Sequence, residues 1–135
     1  MLFRSVSAVK GGKLLPCPRQ RPRIHVAESL GVTHVVHLAQ REVNAHRIRL
    51  QVDAAAAWGK QHNVPLICNE FGAYRRVTDP TSRMNWIRDV RTALEADGIG
   101  WTMWDYRGGF GVVFKEDGQP AKIDPAVLEA LGLKK

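Results

Sequence analysis

Residues 64–72, Val64-Pro65-Leu66-Ile67-Cys68-Asn69-Glu70-Phe71-Gly72, and residues 99–106, Ile99-Gly100-Trp101-Thr102-Met103-Trp104-Asp105-Tyr106, decide how this chain folds. The first is a short, nearly continuous apolar run, the pattern of a strand covered on both faces. The second reads as another short strand. Between them Asp79-Pro80 sets a cap residue before a proline at the first helical position. Met84, Ile87, Val90 and Leu94 then recur at helical spacing, and Gly98 supplies the stop. Strand, crossover helix and strand imply parallel pairing.

The pattern extends in both directions. Upstream, Asn44 can cap a helix running to about Gln61, with Ile48, Val52, Ala55 and Ala56 on one face. Leu50, Ala54, Ala57 and Trp58 widen that stripe, so the helix should be well buried, and His62-Asn63 ends it. Downstream, Asp124-Pro125 repeats the cap-plus-proline signal for a last helix, with Val127, Leu128 and Leu131 inward and Gly132 at its end. The predicted order is helix, strand, helix, strand, helix. Two strands cannot close a barrel or cover both faces of a sheet, so this stretch reads as part of something larger.

Length and composition bound the reading. The chain has 135 residues, 44% of them hydrophobic and 24% charged, which is a globular composition. It is too short for a complete (β/α)8 barrel of about 250 residues. No apolar run reaches the roughly 20 residues of a membrane span, and residues 1–30 show no apolar core of a signal peptide. Cys17 and Cys68 are too few for a disulfide framework or a zinc cage.

The net charge of +7 lies entirely in the front of the chain. Residues 1–50 carry nine Lys/Arg against Glu28 and Glu42, whereas residues 51–135 are balanced, and Phe3 is the only aromatic among the first fifty. A basic arm can serve nucleic acid. This one shows no recognition helix, no interleaved aromatics and no repeated basic spacing, so nucleic acid is set aside as a partner. Gly11-Gly12, Pro16, Pro18 and Pro22 make residues 6–23 a loop or disordered stretch, and the β-branched run 32–38 a short strand. Residues 1–43 are thus read as an irregular basic segment outside the fold. Leu2-Phe3-Arg4-Ser5 matches what the end of a common sequencing adapter encodes, so part of this segment is expected to be out of frame. His34 and His37 have no carboxylate or Cys placed to complete a metal site and read as incidental.

Glu70 and Trp104 are the candidates for chemistry. In parallel α/β folds reactive groups sit at the carboxyl ends of strands, and both residues fall there. A carboxylate in that position can be a nucleophile, a general base, a metal ligand, or a side chain that has merely reached solvent. An indole there can stack on the apolar face of a sugar or fill the core. Alternation puts Leu66, Cys68 and Glu70 on one face and Gly100, Thr102 and Trp104 on one face of the next strand, with Trp101 facing the helices. Asp105 has the wrong parity to face Glu70. Tyr74, Arg75 and Arg76 follow Glu70 in a loop, where they touch substrate or lie on the rim, the rim being favoured; Tyr106 follows Trp104. Gly108-Gly109-Phe110-Gly111 is glycine-rich but opens no helix, which argues against a phosphate site. Cys68, with no His to activate it, reads as a buried small apolar residue.

The strings 64–72, 101–106 and Gly109-Phe110-Gly111 resemble the end of a glycoside hydrolase family 5, cellulase-type, (β/α)8 TIM barrel. In that family the seventh strand ends in Glu within an "(N/G)EFG"-like string, the eighth reads "W-x-x-W-(D/E)-(F/Y)", and a "GFG"-like loop follows. The resemblance covers residues 44–135, from about the sixth helix to the eighth. It implies that Glu70 is the catalytic nucleophile of a retaining enzyme acting on a β-linked polysaccharide or oligosaccharide. It implies that Trp104 is the stacking residue of the innermost subsite; Tyr74 and Tyr106 are the further candidates for substrate contact. It also implies no metal or organic cofactor and an exported, secreted or periplasmic parent protein. The chain departs from the family in one decisive respect: the acid/base Glu that follows an Asn on the fourth strand has no counterpart, because Asn69-Glu70 is the only Asn-Glu pair. The family's sixth-strand residue that positions the nucleophile is also missing. These departures predict a chain that is inactive and marginally folded on its own, or, as the alternative, a carbohydrate-contacting remnant without turnover.

Overall fold

The computed structural model describes residues 2–10, 13–15 and 33–133, with side chains described over 44–133. Its elements are β1 (Leu2–Lys10), β2 (Lys13–Leu15), α1 (Thr33–His62), β3 (Leu66–Gly72), α2 (Pro80–Ala96), β4 (Gly100–Met103), β5 (Val113–Phe114), β6 (Lys122–Ile123) and α3 (Pro125–Ala130). Four strands form one sheet in the order β2-β1-β3-β4, and β5 and β6 form a separate antiparallel pair.

The central β3-α2-β4 unit forms as its sequence dictates. β3 and β4 are parallel, with Ile67 opposite Gly100 and Cys68 opposite Trp101. The Asp79 carboxylate caps α2 by accepting from the Ser82 N–H at 2.8 Å, and Pro80 fills the first turn. Beyond α2, Gly98 takes the left-handed φ of 66°. At the end of α1, Asn63 does the same with φ 50°, a conformation its short polar side chain tolerates. Asp124 caps α3 through the N–H groups of Ala126 and Val127.

The three helices share one core with the buried face of the sheet. Val52, Ala56, Cys68, Phe71, Ile87, Val90, Leu94, Ile99, Val127 and Leu131 belong to a single cluster, against which Trp86, Trp101 and Met103 pack. Phe71 meets Trp101 edge-on at 5.7 Å between ring centroids. Gly59 lets α1 approach β3 closely, since a Cβ there would lie 2.9 Å from the Leu66 side chain. The other face of the sheet is open among the described residues: Ile67, Asn69, Gly100, Thr102 and Trp104 are all exposed.

Several expectations need correction. Residues 2–10 and 13–15 are strands where a basic irregular segment was expected, and residues 16–32 lie outside the described residues. β1 runs antiparallel to β3, with Val6 opposite Cys68 and Ala8 opposite Leu66, so one edge of β3 is not open. An unpaired strand edge offers a row of N–H and C=O groups that must find partners, and nine residues free of Gly and Pro supply them. The strand expected over 32–38 is helical from Thr33 onward, and Asn44 lies inside α1 instead of capping it. No Gly or Pro interrupts 33–58, and Leu38, Ala39, Gln40, Arg41 and Glu42 favour helix, so propagation wins. The side chains of His34 and His37 lie outside those described. α1 is also less buried than expected: Val52, Ala55 and Ala56 are buried, but Leu50 is 54% exposed and Ala54 and Ala57 are exposed, because α2 is the helix packed against it.

Candidate active site

The carboxyl ends of β3 and β4 lie side by side. The Trp104 N–H donates to the Phe71 carbonyl at 2.8 Å, and the Thr102 hydroxyl donates to the Asn69 carbonyl. Gly72 is required by this closeness, because any Cβ there would collide with the Trp104 carbonyl oxygen. Glu70 and Trp104 are thereby carried on adjacent strand ends. The peptide between Trp104 and Asp105 is cis.

A bulge interrupts β3 at Glu70. Cys68 and Phe71 are both fully buried against the helices, although strict alternation would put residues three apart on opposite faces. The register with β4 shifts between them, and the register with β1 is also irregular opposite Glu70. The extra residue restores Phe71 to the helix side. Asn69, which is exposed, and Glu70 occupy the irregular stretch between Cys68 and Phe71. The simple alternation that grouped Glu70 with Leu66 and Cys68 is interrupted by this bulge. Glu70 is half-buried there. The alternation on β4 holds: Trp101 and Met103 pack on the core, while Trp104 is 51% exposed.

Two loops surround these strand ends. In the loop after β3, the Tyr74 ring packs on Phe110 at 5.1 Å and lies against Gly109, which has no room for a side chain. In the loop after β4, the Asp105 carboxylate is wrapped by Gly108 and Gly111; a Cβ on either would come within 2.8 Å of its oxygens. Asp105 serves this loop, in keeping with its parity. Tyr106 is 76% exposed, and its carbonyl accepts from the Val113 N–H at 2.8 Å. Burial raises the Cys68 thiol pKa to about 11, against the lowering effect of its hydrogen bond to the Glu70 backbone, and so disfavours the reactive thiolate.

The arginines were undervalued in the sequence. Arg83, on α2, is 2% exposed and donates to the carbonyls of Ala73 at 2.9 Å and Phe110 at 2.8 Å. Arg75 donates its main-chain N–H to the Gly109 carbonyl at 2.7 Å. Its guanidinium bonds the Gly111 carbonyl at 2.9 Å and the Asp124 carboxylate at 2.5 Å, and stacks over Phe114 at 4.6 Å. Burial pushes the Asp124 carboxyl up, but the Arg75 hydrogen bond and the capping N–H groups outweigh it and hold it below the usual range. Burial and the nearby Arg75 charge lower the Arg83 pKa. Nothing in the spacing marks Arg75 as more than a rim residue; its partners are 36 and 49 positions away.

Two concavities lie elsewhere among the described residues. One, of about 300 Å³, sits at the opposite end of the strands between Gly59, Leu66 and Asp97; the other lies between α2 and α3. A strand end on an open sheet face is not itself a pocket. Among the described residues no three His, Cys, Asp or Glu side chains gather as a metal group, and no helix is long and apolar enough to cross a membrane.

No family model matches the chain. It is 36% identical over 83 residues to Endoglucanase 3 of Fibrobacter succinogenes, a match that takes in 62% of this chain and 12% of that protein. Its fold is similar to a hyperthermophilic endo-beta-1,4-glucanase solved in complex with substrate, at 33% identity and a TM-score of 0.56, over 65% of this chain and 27% of the other. It is likewise similar to Thermotoga maritima Cel5A, solved with cellobiose and with mannotriose, at 29% identity and a TM-score of 0.57, over 64% and 27%. The chain spans about an eighth of the length of the first relative and about a quarter of these solved enzymes. Over that stretch it resembles part of a cellulase, a glycoside hydrolase with a TIM-barrel fold.

Proposed function

We propose that residues 44–135 are the C-terminal part of a (β/α)8 glycanase barrel, with β3 and β4 as its seventh and eighth strands and Glu70 as the nucleophile of a retaining β-glycanase. The observation that carries this reading is the side-by-side pairing of the carboxyl ends of β3 and β4, which sets Glu70 and Trp104 on adjacent strand ends. The similarity to endoglucanases over about two thirds of the chain supports it. All strand neighbours in such a barrel are parallel, so β1 is not one of its strands; it occupies the edge where the sixth would pair.

Glu70 attacks the anomeric carbon, expels the leaving oxygen and forms a glycosyl-enzyme. A second carboxyl about 5–5.5 Å away must protonate that oxygen and then activate water. Among the described residues Glu70 is the candidate carboxylate at these strand ends, and the acid/base partner belongs to strands outside residues 44–135. Trp104 stacks on the sugar at the innermost subsite, and Tyr74 and Tyr106 contact neighbouring units. The substrate is a β-linked polysaccharide or oligosaccharide, and the chain alone does not turn it over. The exposure of Trp104 and Tyr106 favours a second reading for the isolated chain, a sugar-contacting surface without catalysis.

A chimera tests the first reading. Residues 44–135 replace the matching segment of a complete endo-β-1,4-glucanase, and hydrolysis of cellohexaose is followed. The chimera is expected to hydrolyse it, with Glu70→Gln lowering kcat by about a thousandfold or more, a loss of ~4 kcal/mol in transition-state stabilisation. A folded chimera whose rate is unaffected by Glu70→Gln would refute the assignment.

A further inference from the structure

The loop after β4 is held by two arginines and a carboxylate at the edge of the helical layer: Arg75 from the β3–α2 loop, Arg83 from α2 and Asp124 from the start of α3. Three successive carbonyls, of Gly109, Phe110 and Gly111, accept from the Arg75 N–H, the Arg83 guanidinium and the Arg75 guanidinium. One carboxylate closes the arrangement. Oδ1 of Asp124 caps α3, while its Oδ2 takes Arg75 at 2.5 Å and stands 3.6 Å from Arg83. Charge-assisted hydrogen bonds of this kind are about twice as strong as neutral ones. They link the segment bearing Tyr74 to the segment that begins at Trp104. The main core residues, Phe71, Ile87, Val90 and Leu94, are not among the partners.

We propose that Arg75 and Asp124 are positioning residues, which hold the β4–α3 loop against the β3–α2 loop so that Trp104 and Tyr74 present one continuous sugar-facing surface. Without the clasp the loop is released while the core persists. The sugar-facing consequence rests on the glycanase reading; the clasp itself does not.

The test uses the 135-residue chain and two NMR observables, the indole signal of Trp104 and amide hydrogen exchange. Arg75→Met is expected to shift or broaden the Trp104 indole signal and to speed exchange at Val112 and Val113 by tenfold or more, with the α2 amides of Ile87 and Val90 unchanged. Asp124→Asn keeps a capping side chain but removes the charge, and is expected to do the same while the α3 amides stay protected. Arg75→Lys, which keeps the charge without the two-pronged grip, is expected to restore the signal in part. An unchanged indole and unchanged loop exchange in Arg75→Met would overturn the proposal. So would equal acceleration in α2, which would mark a merely structural role, and so would a wild-type chain with no dispersed indole signals. Cellohexaose titration is a separate arm: failure of the wild type to bind counts against the glycanase reading, and the exchange data alone judge the clasp.

Discussion

Glu70 shows how much one inserted residue can matter. Its identity and strand-end position are plain in the sequence, but the break in alternation around it comes from a two-against-one pairing that no periodicity reveals. Trp104 is legible because alternation on β4 is unbroken. Arg75, Arg83 and Asp124 are half legible: Asp124-Pro125 announces a helix cap, but not that its second oxygen holds an arginine from 49 residues earlier. Three predictions belong to single residues. Gly72→Ala forces a Cβ into the Trp104 carbonyl and is expected to cost about 2 kcal/mol, read as a lowered urea midpoint. The Cys68 thiol, buried and raised to about 11, is expected to resist modification at pH 8 until the chain unfolds, as followed by peptide mapping. The Asp124 carboxyl is lowered in the folded chain, so its contribution is fully present above the unfolded value of about 3.9 and is lost as pH falls through the lower folded value. Urea midpoints of the wild type and Asp124→Asn should therefore converge as pH drops below the usual carboxylate range, and a constant gap down to pH 2 would contradict the pairing.

At the scale of elements, α2 and α3 are readable from caps and apolar spacing, and both start where Asp-Pro places them. The β5–β6 pair was not anticipated. Its signal was present in Val112-Val113-Phe114, followed by the turn pair Asp117-Gly118, where Gly118 takes φ 73°. α1 is longer than its predicted cap allowed, because a capping residue ends a helix only when the preceding residues decline to continue it. β1 is the largest surprise, since a strand added to an edge is specified by backbone need more than by its own pattern. Deleting residues 1–15 should bare that edge of β3, speeding amide exchange at Leu66–Cys68 and promoting self-association in sedimentation; unchanged behaviour would mean that β1 does not protect the sheet.

At the scale of the molecule, the decisive fact is that the sheet is one-sided among the described residues. Helices cover one face, while Ile67, Asn69, Thr102 and Trp104 face outward on the other. Parallel sheets are ordinarily covered on both faces, and in a closed barrel the outward set here would become the packed interior and the mouth of the site. On the proposed reading, the acid/base carboxyl would come from the remaining strands of that barrel. The front-loaded charge of +7 and the frame of residues 1–43 stand apart from this account; we propose that part of that segment derives from another reading frame, which translating the upstream DNA in all three frames would test. The central claim, that Glu70 is a glycosyl-accepting nucleophile, is tested most directly by trapping. The glucanase chimera carrying residues 44–135 is treated with 2,4-dinitrophenyl 2-deoxy-2-fluoro-β-cellobioside, whose good leaving group departs without acid assistance, and the labelled peptide is identified by mass spectrometry. The account predicts a stable glycosyl ester on Glu70 that is absent from Glu70→Gln. A label on a different carboxylate, or one that persists in Glu70→Gln, would contradict it.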